Sequence, residues 1–104
     1  MVQPDEARNI ALSFEGTAEQ PHFNRTAFSV KKKIFATLSV KDKTLNLKFT
    51  PDQQFIFCPP QSEVIYPVHG GWGRQGWTTI NLSKASKKLV MSALEEAYKL
   101  RKEK

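Results

Sequence analysis

Hydrophobic spacing along this chain starts helical, becomes strand-like, and ends helical. Ala7, Ile10, Ala11 and Phe14 recur at i, i+3, i+4 and i+7, one apolar stripe of a short helix. Pro4 suits its first turn, where a missing N–H costs nothing, and Asp5 and Glu6 suit the positive end of the helix dipole. Gly16 reads as its stop signal. Thr17 to Asn24 has no period and reads as a loop. From Arg25 the period is two. Phe28 and Val30 alternate with Ala27 and Ser29, Ile34, Ala36 and Leu38 oppose Phe35 and Thr37, and Leu45, Leu47 and Phe49 alternate with Thr44, Asn46 and Lys48. Lys31-Lys32-Lys33 and Lys41-Asp42-Lys43 form polar turns between these runs. The pattern predicts a three-strand antiparallel meander with one wet face.

Pro51 and Asp52 open a brief helix through Phe57, ended by Pro59-Pro60. Val64-Ile65-Tyr66 is a short strand candidate stopped by Pro67, a glycine-rich loop runs from His69 to Gly76, and Trp77 to Leu82 returns to strand character. Ser83 or Ser86 caps a last helix, whose broad apolar face is Leu89, Val90, Ala93, Leu94, Ala97 and Tyr98. Arg101 to Lys104 is expected to fray. No repeat or linker interrupts the 104 residues, so residues 1–104 read as a single domain. Two amphipathic helices and a half-wet antiparallel sheet predict an α+β fold, a two-layer α-β sandwich with the N- and C-terminal helices packed on one face of the sheet. The opposite face is left open.

Composition narrows the functional class. Sixteen Lys and Arg against ten Asp and Glu leave a net charge of +6, a balance that favours a polyanionic partner. One cysteine, Cys58, cannot form an intramolecular disulfide, so this is not a small bridged scaffold. No apolar run approaches the ~20 residues of a membrane span. Met1 to Glu6 shows neither a basic nor an apolar leader segment, so no signal peptide is expected and the cytoplasm is the expected compartment. Between Arg25 and Lys48 there are seven positive residues (Arg25, Lys31, Lys32, Lys33, Lys41, Lys43 and Lys48) against Asp42 alone, while the rest of the chain carries nine of each sign. The whole excess belongs to the meander, and the fold is expected to gather it onto one continuous outward patch. Two readings stand side by side: lysines that keep sheet edges soluble, and hairpin tips that reach phosphates. Lys84, Lys87, Lys88, Lys99, Arg101 and Lys102 read as the solvated face of the last helix.

The densest local signal is Gly70-Gly71-Trp72-Gly73-Arg74-Gln75-Gly76-Trp77-Thr78-Thr79. Glycines give such a loop freedom at positive φ and close approach to other chain segments. Trp and Arg stack on bases, pair with phosphates and dominate binding hot spots. The tryptophans either fold inward as anchors, with Arg74 paired to a carboxylate, or face a partner. The two readings are compatible, since one tryptophan can anchor the loop while Arg74 faces out, and the residues alone leave both open. The run from Gly71 to Thr79, with its W-G-x-x-G-W-T spacing, resembles the signature loop of the MmcQ/YjbR family. Pro21-His22-Phe23, Lys33-Ile34-Phe35-Ala36-Thr37-Leu38 and Glu95-Glu96-Ala97-Tyr98 carry the likeness over essentially the whole chain. The resemblance implies a sandwich similar to the bacterial frataxin homologue and a DNA-binding role with a double-wing arrangement. Trp72, Gly73, Arg74, Gly76, Trp77 and Thr78 would be signature-loop positions, and the two lysine turns would be wing tips. Frataxin-like proteins hold iron on an acidic ridge. Here Arg8 sits among Asp5, Glu6 and Glu15, and the strands that follow are basic, so iron is not expected.

His22, Cys58 and His69 match no zinc spacing. Cys58, before Pro59-Pro60, reads as a buried structural cysteine rather than a nucleophile. No phosphate-binding glycine loop, nucleophile elbow or dinucleotide fingerprint occurs. Phe35 reads either as an exposed stacking platform or as a ring covered by Trp77. The expectation is therefore a non-enzymatic domain without cofactor or metal. It would bind DNA or another polyanion through Arg25, Lys31, Lys32, Lys33, Lys41, Lys43, Lys48 and Arg74, with weak sequence specificity. The alternative is a protein- or peptide-interaction module using the tryptophan-glycine loop and the open sheet face. No membrane partner is expected.

Overall fold

The computed structural model describes residues 1–103, in the order α1 (Pro4–Ser13), β1 (Ala18–His22), β2 (Arg25–Val30), β3 (Lys33–Ser39), β4 (Thr44–Lys48), α2 (Pro51–Phe57), β5 (Ile65–Pro67), α3 (Gly71–Arg74), β6 (Trp77–Asn81) and α4 (Lys87–Glu103). The strands form one antiparallel sheet in the order β1-β2-β3-β4-β6-β5. This is the predicted α+β sandwich with a wider sheet. Ala18–His22, expected as a loop, is an edge strand paired to β2 from Ala18↔Ser29 to His22↔Arg25. It escapes a periodicity test because Ala18, Glu19, Gln20 and Pro21 are all exposed, and a strand held by its backbone ladder needs no apolar alternation. Both edges of the sheet contain a proline, Pro21 in β1 and Pro67 in β5. Pro67 does not stop β5; it pairs with Thr78 as its last residue.

Register assigns the two faces. Ala36 and Leu38 lie opposite Leu47 and Leu45, and Leu45 lies opposite Ile80, so these side chains share one face. Val90, Ala93, Leu94 and Ala97 of α4 and Ala7 and Ala11 of α1 join them in one buried core. Ser86, not Ser83, caps α4: its Oγ accepts a hydrogen bond from the Leu89 N–H. The helix continues through Glu103, over most of the segment expected to fray, and Lys104 lies outside the described residues. Near its end the Tyr98 hydroxyl donates to the Glu15 carbonyl and Arg101 Nε donates to the Ile34 carbonyl at 3.0 Å, tying α4 to the α1–β1 connection and to β3.

One irregularity decides where Phe35 points. Phe28 pairs with Ala36 but Ser29 pairs with Ile34, so Phe35 is an extra residue in β3 with no partner of its own. A bulge of this kind re-aims a side chain. Phe35 is fully buried and meets the rings of Phe14 and Tyr98 edge-on at 6.5 and 5.6 Å. It is a core residue on the helix side, neither an open platform nor a ring beneath Trp77.

Candidate functional site

The tryptophan loop is built on backbone contacts that only glycine allows. A Cβ on Gly73 would stand 1.8 Å from the Val68 carbonyl oxygen, and one on Gly76 would stand 1.9 Å from that of Phe49. Gly76 also holds φ at +107°, in the left-handed half of the map. Gly71–Arg74, which contains Gly73, makes one helical turn, α3, inside what the sequence shows as a loop. Three further groups lock it. Gln54 Nε2 on α2 lies within hydrogen-bond distance of the Gly73 carbonyl (2.9 Å), the Trp77 carbonyl (3.1 Å) and Thr78 Oγ1 (3.2 Å). The buried Thr78 hydroxyl donates to the Gly76 carbonyl at 3.0 Å. Lys48 Nζ donates to the Gln75 carbonyl, and burial, with Arg101 second, pushes its pKa down.

That packing turns both tryptophans away from the core. Trp72 is 63% exposed and Trp77 half-buried, so the inward-anchor alternative does not hold. Both border a groove of about 280 Å³ on the face of the sheet opposite α1 and α4. Val68 stands beside them on that wall, and His22, Phe23 and Asn24 of the β1–β2 turn form the facing wall. Phe23 is 96% exposed at φ 58°, with the His22 ring edge-on to it at 4.9 Å. The floor is Arg25, Thr37 and Asn46.

Arg25 does not reach into solvent. Its Nε and Nη1 donate to the Thr37 and Thr44 hydroxyls at 2.9 and 3.2 Å, and its Nη2 donates to the carbonyls of the same residues at 3.0 and 3.1 Å. The side chain spans β2, β3 and β4 on the open face. Burial lowers its pKa, with Asp42 opposing; among the described residues no carboxylate forms an ion pair with it.

The remaining cations divide by strand direction. The β2–β3 turn (Lys31, Lys32), the start of β3 at Lys33 and the end of β4 at Lys48 lie at one end of the sheet. The β3–β4 turn, with Lys41 and Lys43, lies at the other end, beside Arg25. At about 3.3 Å per residue the seven-residue β3 separates them by roughly 20 Å. The expected single lysine patch is therefore two patches, because successive turns of a meander alternate ends. Lys31, Lys32, Lys41, Lys43 and Arg74 are exposed and, among the described residues, carry no ion pair. Lys48 and Arg25 serve the loop and the sheet.

The family model that matches this chain is YjbR, over residues 12–100. The chain belongs to the YjbR family. No curated protein matches it. Among solved structures, a crystal structure of a protein from Pseudomonas syringae is similar at 17% identity, with a TM-score of 0.65 over 89% of this chain and 93% of that one. That likeness speaks for the fold.

Within this YjbR domain the residues of the tryptophan loop divide by task. Gly73, Gly76 and Thr78 are packing residues, and Trp72 and Trp77 form the groove wall that this packing presents. Gln54, Thr37, Asn46 and Val68 belong to the same construction. Sequence reasoning passes over them because they are single polar or apolar residues on separate elements with no local motif. Cys58 caps the end of α2, half-buried rather than buried, and burial pushes its thiol up, away from thiolate reactivity. Among the described residues no three His, Cys, Asp or Glu side chains could hold a metal ion, and no helix is long and apolar enough to cross a membrane.

Proposed function

We propose that this YjbR domain is a non-catalytic nucleic-acid-binding module that meets the phosphate chain at both ends of its open sheet face. The observation that carries this is the set of exposed lysines without an ion pair among the described residues, Lys31 and Lys32 at one end and Lys41 and Lys43 at the other, flanking the face of the sheet opposite α1 and α4. Arg74 on α3 adds a fifth such cation. Backbone contacts of this kind position a strand without reading its sequence, and no recognition helix with base-reading side chains is part of this reading. With four or five phosphate contacts, log K falls with log salt at a slope of about −3 to −4.5. A salt-dependent titration with short DNA and RNA oligomers measures this; no binding at low salt refutes it. The exposed rings of Phe23 and Trp72 favour a second reading, a peptide-binding groove. Charge reversal at Lys31, Lys32, Lys41 and Lys43 separates the two, since it abolishes nucleic-acid affinity and leaves an aromatic-dependent partner in place.

A further inference from the structure

The groove has a chemistry distinct from the lysines that flank it. Its walls are rings, with Trp72 and Trp77 on one side and Phe23 on the other. Its floor presents hydrogen-bond donors. Asn46 Oδ1 already accepts from the Thr79 hydroxyl at 2.7 Å, so the free side of that amide is its NH2. Arg25 uses four of the five N–H groups a guanidinium carries, leaving one on Nη1. Aromatic walls over a donor floor complement a flat ring that carries carbonyl acceptors. The volume, about 280 Å³, lies just under the ~300–1,000 Å³ of sites for larger ligands, which suits one ring and not a run of stacked ones.

Position supplies the third constraint. The groove crosses the open face between the two lysine-bearing ends, so a phosphate chain lying from one end to the other passes directly over it. Basic flanks with an aromatic platform between them are the arrangement that engages single strands, whose bases are free to leave the backbone and stack on protein. A base held in a duplex can enter only by flipping out, which costs unpairing energy.

We infer that the groove receives one unstacked pyrimidine base, thymine or uracil, of a single-stranded nucleic acid, with Trp72 and Phe23 as the stacking walls and Asn46 and Arg25 donating to its carbonyl oxygens. The inference rests on the nucleic-acid reading and adds strand preference and base class to it. Both tryptophans of the protein border the groove, so intrinsic fluorescence reports the stacking event directly. The experiment titrates the full chain with an oligothymidine, an abasic strand of equal length and a blunt duplex. The oligothymidine is expected to quench tryptophan emission and to bind about 5- to 150-fold more tightly than the abasic strand. Phe23→Ala and Trp72→Ala are expected to remove that advantage while leaving the salt slope and duplex binding in place. Both residues are exposed, so circular dichroism should show the fold intact. Equal binding of thymidine and abasic strands without quenching overturns the inference and leaves the phosphate reading standing. If no nucleic acid binds, both fall. Quenching by a peptide but by no oligonucleotide overturns both in favour of a protein partner.

Discussion

The turn between β2 and β3 offers a perturbation whose effects on stability and on binding have opposite signs. Val30 pairs with Lys33, so the connection is two residues long, and both of them, Lys31 at φ 52° and Lys32 at φ 66°, occupy left-handed backbone. This is the type I′ geometry whose twist matches the flanking strands and whose preferred sequence is Asn-Gly. An L-residue with an ordinary side chain loses roughly 1–2 kcal/mol in that conformation. Replacing the pair by Lys31→Asn and Lys32→Gly relieves most of the strain, while glycine returns about 0.5–1 kcal/mol through the entropy of the unfolded chain. The net expectation is a gain of about 1 kcal/mol or slightly more, which raises Tm by about 4–8 °C in a domain of this size. The same double variant removes two of the proposed phosphate contacts, so the salt slope should become shallower by about 1.4–1.8. Urea and thermal melts measure the first effect and oligonucleotide titrations across salt the second. A variant less stable than the parent would refute the strain argument. An unchanged slope would show that this turn does not touch phosphate.

Two further outcomes follow from the packing. Gly73→Ala and Gly76→Ala each drive a Cβ to within 2 Å of a backbone oxygen, at 1.8 and 1.9 Å, and should each destabilise by at least about 2–3 kcal/mol in urea unfolding; a change under about 0.5 kcal/mol at either site would contradict the described close approach. On the helix side, Arg8 donates to both Glu19 oxygens at 2.7 and 2.8 Å. That hydrogen bond, with the charge of Arg8 contributing less and desolvation opposing, holds the Glu19 carboxyl below its ordinary value. A lowered folded pKa gives stability that is present above the unfolded value, about 4.3, and lost as pH falls through the folded one. The Tm of the parent should therefore exceed that of Glu19→Gln at neutral pH, and the gap should close below about pH 4; a gap that widens in acid would reverse the sign and refute the pairing.

The architecture was legible where one face of an element is buried and the other is wet. Ala7 and Ala11 in α1, the alternation of Leu45 and Leu47 in β4, and the stripe from Val90 to Tyr98 in α4 all show their period because burial imposes it. Ala18–His22 shows none because both faces of this edge strand are open to solvent, so burial imposes no period on it. Phe35 was misplaced because a single bulged residue inverts the face of everything before it, and no residue type announces a bulge. The lysine turns teach a different lesson. Their closeness in sequence suggested one patch, although an antiparallel meander must place consecutive turns at opposite ends, which topology alone could have told. The groove lies beyond any local reading. Its walls come from residues 22–24 and 68–77 and its floor from three different strands, so only the assembled sheet brings them together.

The prolines at the two margins of the sheet have a consequence for life in a crowded solution. A β-sheet ordinarily invites a neighbour to extend it, because its outermost strand offers an unspent ladder of N–H and C=O groups. Pro21 and Pro67 each delete a donor from that ladder, and the three-residue β5 leaves little length to copy. The molecule can thus keep bare rings on display without its borders recruiting a second chain into a growing ribbon.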